Sequence, residues 1–347
     1  MLDHLIGPSA RLAAAWAADL GNDVPAREDW DIPNLTQYLG PIQGADEVRE
    51  EYYERLQRAL TAKTGQEPSG SGPEYLLADL TAAARRAAEK DTTEVFRMLA
   101  RLHLPVYLTT CPDDALFDAL KRSIDARPKP ADATAERGPF RQVCNWLRKP
   151  PEPEPPADRP ADPPAPSPPP ADPPAPRLPI PAWPVDHLTP PPPARDRPLV
   201  CHLGGHLSDP PSVLLNEDHY LRFLVRMAVT SSHCRPSVLA AQFLNTDLLF
   251  LGFRLDDVAF RTFVEVFMSL EWVQNRRGSK KEGRGFDVAV QLDPDAAATA
   301  SAERVQQHIE RLFNPESNPR DNPVNIRIYW DGLRSFLREL DKRCPTL

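Results

Sequence analysis

A proline-rich tract divides the chain and limits the folds that are open to it. The chain has 42 prolines among its 347 residues, and more than half of them lie between Pro150 and Pro198. Proline fixes φ and lacks the backbone donor, so this tract forms neither a helix nor a central strand. We expect residues 150–194 to be an extended, solvated and flexible insert. Its PxxP spacings leave a second role open, as a docking site for proline-recognition modules.

The tract is predicted to interrupt one domain rather than to separate two. Patterns typical of buried strands occur on both sides of it, at residues 105–109 and 199–203. A long insertion in a surface loop costs little stability, because the entropy of loop closure grows only logarithmically with length. Residues 1–149 and 195–347 are therefore expected to form a single domain.

Helical and strand patterns elsewhere indicate the fold class. Before the tract, apolar residues recur at helical spacing in residues 9–20, 46–64, 74–88 and 92–102. After it, strand patterns at residues 247–251, 286–292 and 325–330 alternate with helical patterns at residues 217–229, 258–272, 302–313 and 332–343. This alternation predicts an α/β, Rossmann-like fold in which a largely parallel sheet is covered by helices on both faces.

Composition and cysteine usage argue against several classes of protein. The net charge of −8 does not favour nucleic acid as a partner, since phosphate contacts need a basic face. No apolar run approaches the roughly 20 residues that span a bilayer, and no secretory signal is predicted. The 5 cysteines never form a C-x-x-C pair. They are expected to be reduced thiols of a cytoplasmic protein, without a structural zinc.

Three predicted strands end in polar or glycine-containing loops. The loops read TTCPDD at residues 109–114, LGGH at 203–206 and LGFRLDD at 251–257. Open α/β sheets bind nucleotides at such strand ends, because glycine lets the backbone approach a phosphate or a ribose closely. The sequence therefore predicts a nucleotide site at these loops.

These loops, together with LNEDHY at residues 215–220, resemble motifs of the SIR2-like family. That family comprises NAD-consuming relatives of sirtuins in bacterial defence systems, and its motifs read TTNYDD, LHGS, LTEDxY and LGYSLDD in the same order. The resemblance implies NAD, or an ADP-ribose-like nucleotide, as substrate or ligand. It further implies NAD⁺ glycohydrolase-type hydrolase activity in antiphage defence, and a partner protein of the defence system.

Three features depart from the family pattern. The catalytic Asn of the family falls on Cys111, which has no amide group, and the catalytic His falls on Gly204, which has no side chain. The glycine-rich phosphate loop at the start of the family's fold is represented only by Gly7-Pro8-Ser9. Either that loop lies upstream of Met1, or the phosphate cradle is missing.

The candidate site residues follow from this resemblance. The catalytic candidates are Cys111, His206 and Asp113. Two of them also have a structural interpretation. Cys111 is then a small residue that is tolerated after loss of the Asn, and Asp113 is a carboxylate that orders its loop by accepting hydrogen bonds from backbone N–H groups. In an extended segment, residues 202, 204 and 206 share one side, so His206 would project into the space of a side chain at 204 and act as a displaced general base. The candidate nucleotide contacts are Thr109, Thr110, Asp114, Gly204, Gly205, Gly252 and Phe253.

No metal site is predicted. His202 and His206 have the i, i+4 spacing of an HExxH motif, but that motif requires a helix with a Glu between the histidines. Gly204 and Gly205 make a helix implausible here.

Three hypotheses about function therefore remain open. The chain is an NAD⁺-hydrolysing effector with rearranged catalytic groups, a catalytically inactive SIR2-like nucleotide-binding or scaffold protein, or a carrier for a proline-rich docking tract.

Overall fold

The structure is a computed structural model, and it describes most of the chain on either side of the proline-rich tract. The described residues are 6, 9–25, 27, 30–91, 94–128, 137–144, 147, 192–229, 247–253, 287–292, 302–313 and 325–343. The predicted helix at 258–272, most of the proline-rich tract, and the residues Gly7, Pro8, Asp256 and Asp257 lie outside them.

Six helices lie between the start of the described residues and the tract. They are α1 (Ser9–Leu20), α2 (Ile32–Gln43), α3 (Ala45–Thr64), α4 (Pro73–Lys90), α5 (Val95–Arg101) and α6 (Ala115–Asp125). The helical patterns before the tract are confirmed within a few residues. Helix α2 was not predicted; Asp31 caps its first turn by accepting the Asn34 N–H, and Pro41 lies inside its last turn.

The first sheet joins strands from both sides of the tract. Strands β1 (Val106–Thr109), β2 (Phe140–Val143) and β3 (Leu199–His202) are parallel and lie in the order β1-β3-β2. All four residues of the central strand β3 are buried, as expected for a parallel strand covered on both faces. Cys144 and Cys201 are free thiols with their Sγ atoms 3.6 Å apart.

The second sheet is built from the C-terminal strands. Strands β4 (Leu248–Phe253), β5 (Asp287–Leu292) and β6 (Asn325–Trp330) are parallel and lie in chain order. The α-helices described in this half are α7 (Glu217–Val229), α8 (Ala302–Phe313) and α9 (Leu333–Arg343). The mixed α/β class and the parallel pairing are confirmed. Within the described residues, however, the strands form two three-stranded sheets, where the sequence predicted one.

One apolar core connects the helical region with both sheets. It contains Leu80 of α4, Phe96 of α5 and Val200 of β3, and each is at most 1% exposed. Leu337 of α9 belongs to the same cluster, and Leu249 of β4 packs against it. The α9 helix therefore ties the second sheet to the core of the first.

We expect removal of a core side chain to reveal this shared core. The Leu80→Ala variant should lower the free energy of unfolding by about 2–5 kcal/mol, because it leaves a cavity at a fully buried position. Ile42→Ala is the control, since Ile42 is 62% exposed. Urea unfolding measures both variants, and an equal midpoint for the two would contradict this description of the core.

A reciprocal cap begins helix α7. The Oδ1 atom of Asn216 accepts the His219 N–H at 2.9 Å, and Nδ1 of His219 accepts the Leu215 N–H at 3.2 Å. This pairing has the logic of a capping box, with histidine in place of the usual Glu or Gln. Burial, together with the positive charges of Arg49 and Arg222, lowers the pKa of His219 from 6.5 to about 4. The cap therefore requires neutral His219.

This cap predicts a pH dependence of stability. Because the folded-state pKa of His219 is lowered, its stabilising contribution is present above pH 6.5 and is lost as the pH falls towards 4. His219→Gln keeps an acceptor at this position without a titrating group. We expect its unfolding free energy to fall less between pH 6.5 and 4 than that of the wild type, as measured by urea unfolding. Parallel pH profiles for the two proteins would contradict the cap.

Candidate functional site

The carboxyl ends of β1 and β3 lie side by side. Thr109 is the register partner of His202, so the loops that follow these residues begin at the same edge of the sheet. Two backbone hydrogen bonds join the loops: Leu203 N–H donates to the Thr109 carbonyl at 2.8 Å, and Leu207 N–H donates to the Pro112 carbonyl at 2.9 Å. The TTCPDD and LGGH segments are therefore neighbours, as the strand-end argument predicts.

Side chains within the TTCPDD loop fix its backbone. The Oγ1 atom of buried Thr109 accepts the Cys111 N–H at 3.0 Å. The Oδ1 atom of buried Asp113 accepts the Ala115 N–H at 2.8 Å, which is the loop-ordering role expected for this carboxylate. Thr110 is exposed. Asp114 makes no side-chain cap to α6, so its carboxylate is available to other groups.

Gly204 and Gly205 permit two close backbone contacts. A Cβ atom at Gly204 would lie 2.7 Å from the Thr110 carbonyl oxygen, and one at Gly205 would lie 2.1 Å from the Ser212 carbonyl oxygen. Gly205 also has a φ of +81°. The Thr110 carbonyl therefore occupies the space that a side chain at 204 would need, and the role of His206 as a displaced general base stays a prediction. The nucleotide contacts of both glycines stay predictions.

A comparison of two glycines separates strain from crowding. Gly205 and Gly65 both have positive φ, but the space around Gly65 is open. We expect Gly65→Ala to destabilise the fold by about 1–2 kcal/mol through strain alone. Gly205→Ala adds the clash with Ser212, which raises the cost to about 2–5 kcal/mol. Chemical denaturation of both variants tests this difference, and equal losses would show that the Ser212 contact yields easily.

Two histidines and one carboxylate converge at this edge. The rings of His202 and His206 meet edge to face, with their centroids 4.5 Å apart, and Nε2 of His206 lies 3.2 Å from Oδ1 of Asp114. Both histidines are 0% exposed. One nitrogen of each ring and one oxygen of Asp114 all lie within 4.8 Å of one another. We call Asp114, His202 and His206 the strand-end cluster.

His202 presents a lone pair inside this cluster. Its Nδ1 atom lies 2.9 Å from the Cys111 carbonyl oxygen, and since a carbonyl only accepts, Nδ1 carries the proton. The Nε2 atom is then an acceptor, and it is buried with no hydrogen-bond partner among the described residues. Burial lowers the pKa of His202 from 6.5 to about 4 and outweighs the hydrogen bond to the Cys111 carbonyl, which raises it; the charge of Arg141 acts in the same direction as burial. His202 is therefore neutral at pH 7.

His206 and Arg141 both donate to Asp114. Ser208 N–H lies 3.1 Å from Nδ1 of His206, which makes that atom an acceptor and leaves the Nε2–H to donate to Asp114. Arg141 of β2 forms an ion pair with Asp114, and its guanidinium lies over the Phe117 ring. Burial tends to raise the pKa of Asp114, but these two donors outweigh burial and lower it. The carboxylate is ionised at neutral pH.

A surface groove reaches the cluster through Asp114. Its volume is about 430 Å³, and besides Asp114 it is lined by side chains of α4: Glu74, Leu77, Ala78, Thr81, Ala82 and Arg85. The Arg85 side chain is 50% exposed and forms an ion pair with Asp118 at 2.6 Å. The groove therefore brings an ionised carboxylate and a cationic side chain to the same opening.

The third predicted loop belongs to the second sheet. Gly252 is exposed, has a φ of +72°, and donates its N–H to Oε1 of Gln291 at 3.0 Å. Buried Gln291 donates in turn to the Asp331 carbonyl at 2.5 Å, so it links the ends of β4, β5 and β6. Phe253 is the last residue of β4. These residues lie at the strand ends of the second sheet and are not members of the strand-end cluster, so their nucleotide contacts stay predictions.

Two members of the site were missing from the sequence-based candidates. Arg141 lies on β2, a strand that was not predicted. His202 was considered as a metal ligand and set aside, because residues 202–206 do not form a helix. The structure agrees that this segment is not helical, yet it brings the two rings together through the turn at residues 203–205. The period-two pattern of residues 202 and 206 was the available signal.

Comparison with known proteins supports part of the family resemblance. A family model described as the SIR2-like domain matches residues 176–310. The match begins inside the predicted insert and includes β3, the LGGH loop and β4, whereas the TTCPDD loop lies before it. No curated protein matched the chain. SIR2-like domains typically bind NAD, so the match indicates an NAD-related function. Among the described helices, none has the length and apolar character needed to cross a membrane.

Proposed function

We propose that this chain is a SIR2-like NAD-binding protein that hydrolyses NAD⁺ to nicotinamide and ADP-ribose at the strand-end cluster. The observation that carries the proposal is the ionised Asp114 carboxylate, held against two buried histidines at the end of a groove. The match to the SIR2-like domain supports NAD as the nucleotide. Strand ends of parallel sheets are also where such nucleotides bind in other α/β proteins.

Asp114 is the central residue of the proposed reaction. When water displaces nicotinamide from the ribose, the bond between the sugar and the pyridinium nitrogen breaks, its electron pair goes to nicotinamide, and positive charge develops on the sugar. The water oxygen bonds to the same sugar carbon and releases one proton to solvent. A nearby carboxylate stabilises that charge and accepts a hydrogen bond from a ribose hydroxyl. His206 positions Asp114 through its Nε2–H.

The remaining candidates have supporting places in this proposal. Cys111 and Asp113 hold the loop, since the Cys111 carbonyl orients His202 and Asp113 accepts a backbone N–H. In this proposal, exposed Thr110 and the cationic Arg85, which lines the groove, contact the nucleotide. The predicted contacts of Thr109, Gly204, Gly205, Gly252 and Phe253 belong to the same proposal.

The wider biological setting rests on the family resemblance. We include in the proposal a role as an effector of antiphage defence that acts with a partner protein, and a single domain formed by residues 1–149 and 195–347. The joining of β1, β2 and β3 in one sheet supports that domain. The competing hypothesis is an inactive nucleotide-binding or scaffold protein, which the identities of Cys111 and Gly204 favour.

Titration with NAD⁺ tests the proposal directly. We expect calorimetry to detect NAD⁺ binding by the full chain, with free nicotinamide accumulating in the cell. Asp114→Asn keeps the side-chain shape and removes the charge, so nicotinamide release should fall by about 100-fold or more. Asp46→Asn is the control, because Asp46 forms only an exposed ion pair with Arg49.

The outcomes separate the hypotheses. Binding without nicotinamide release would contradict hydrolysis and support the nucleotide-binding alternative. A lack of NAD⁺ binding would contradict the proposal as a whole. Equal release by the wild type and Asp114→Asn would leave an NAD⁺-hydrolysing protein but remove Asp114 from its reaction.

A further inference from the structure

The buried Nε2 atom of His202 requires a partner. Its lone pair lies inside the protein, and no described group donates a hydrogen bond to it. A buried acceptor without a partner costs about 1–3 kcal/mol, so such atoms usually mark an ion, a water or a ligand. The other two members of the strand-end cluster, the imidazole of His206 and the carboxylate of Asp114, offer ligand atoms within 4.8 Å of a ring nitrogen of His202.

The spacing of the cluster fits a tetrahedral metal ion. With metal–ligand distances of about 2.0–2.2 Å, two ligand atoms of a tetrahedral ion lie about 3.3–3.5 Å apart. The Nε2 atom of His206 and Oδ1 of Asp114 are 3.2 Å apart, and the three ligand atoms lie within 4.8 Å of one another. Binding of one ion therefore requires side-chain movement that brings the pairs lying up to 4.8 Å apart to this spacing.

We propose that His202 Nε2, His206 Nε2 and a carboxylate oxygen of Asp114 bind a divalent transition-metal ion of the zinc class. The metal would use the same three side chains as the proposed NAD⁺ reaction, but the proposal does not rest on NAD⁺ binding, and it differs from the sequence-based expectation of no metal. Two imidazoles and one carboxylate suit Zn²⁺ and its first-row neighbours, whereas Mg²⁺ and Ca²⁺ prefer oxygen ligands throughout. Three protein ligands leave a fourth position for water or for a ligand oxygen.

His202 already has the hydrogen bonding of a metal-bound imidazole, and His206 acquires it after a change of tautomer. Such imidazoles use their second nitrogen to donate to a carbonyl or another acceptor, which fixes the ring orientation. His202 does this through Nδ1 and the Cys111 carbonyl. In His206 the proton moves from Nε2 to Nδ1 when the metal binds, and the Nδ1–H then donates a hydrogen bond to Oγ of Ser208, 2.7 Å away. The Ser208 N–H, which donates to Nδ1 in the metal-free chain, gives up that hydrogen bond. No proton is gained or lost in this change of tautomer.

Access and charge set the conditions for binding. Asp114 lines the groove along α4, so an ion would enter from the Asp114 side of the cluster, while both histidines are buried behind it. Arg141 opposes the ion, because its guanidinium contacts Oδ1 of Asp114. A carboxylate has a second oxygen, so Arg141 weakens metal binding without occupying every acceptor of Asp114.

The test measures metal binding by the full chain without nucleotide. The protein is stripped with a chelator and titrated with Zn²⁺ and, separately, with Co²⁺, whose visible absorption reports tetrahedral coordination. We expect one ion per chain, bound at least about 10-fold more weakly by Asp114→Asn and by His206→Gln. His308→Gln is the control, because His308 is exposed on α8, and it should bind like the wild type.

Two further readouts keep the test decisive. Thermal unfolding of each variant shows whether it is folded, and Zn²⁺ should raise the melting temperature of the wild type and of His308→Gln more than that of Asp114→Asn. Failure of the wild type to bind one ion, or equal affinity in the wild type and Asp114→Asn, would overturn the site. The metal titration contains no NAD⁺, so its result is separate from that of the NAD⁺ titration. A chain that binds the metal but not NAD⁺ would reject the proposed function alone. A chain that binds NAD⁺ but not the metal would reject the metal site alone.

Discussion

The parallel register between β1 and β3 is the constraint on which the candidate site depends. It pairs Thr109 with His202, and the hydrogen bond from Leu203 N–H to the Thr109 carbonyl continues the alignment into the loops. Because β3 is buried along its whole length, a slip of one residue would exchange its two faces within the core. The register therefore fixes the position of His202, and the joined loops bring Asp114 to it.

Close backbone packing explains why the chemistry of this edge differs from the family pattern. The Thr110 carbonyl occupies the position that a side chain at Gly204 would need, and Gly205 turns the chain against Ser212. An imidazole at 204 would therefore require the two loops to move apart. The chain instead presents imidazoles at His202 and His206, on either side of the two glycines, and both rings face Asp114.

Helices and strands with a strong local sequence pattern were predictable. Those that depend on contacts with distant parts of the chain were not. The helical pattern of α1 gives its bounds, Ser9–Leu20, and the β-branched and aromatic residues of β6 give Asn325–Trp330. Helix α2 was hidden by Pro41, which the last turn of the helix accommodates. Strand β2 was hidden because none of its residues is fully buried, so it lacks both an alternating pattern and an apolar run. The division into two sheets depends on long-range pairing, which local patterns do not encode.

The strand-end cluster could not be predicted from local sequence patterns either. Asp114 and His206 are 92 residues apart in the chain, so no local spacing relates them. The environments of His202 and Asp114 also have opposite effects on charge. Burial keeps His202 neutral, while the donors around Asp114 keep that carboxylate charged. At pH 7 the edge therefore holds two acceptors, one anionic and one neutral, with the His206 Nε2–H beside them. A ribose hydroxyl satisfies such acceptors by donating a hydrogen bond, and a divalent cation does so by coordination. This shared requirement explains how one small constellation supports both a nucleotide site and a metal site.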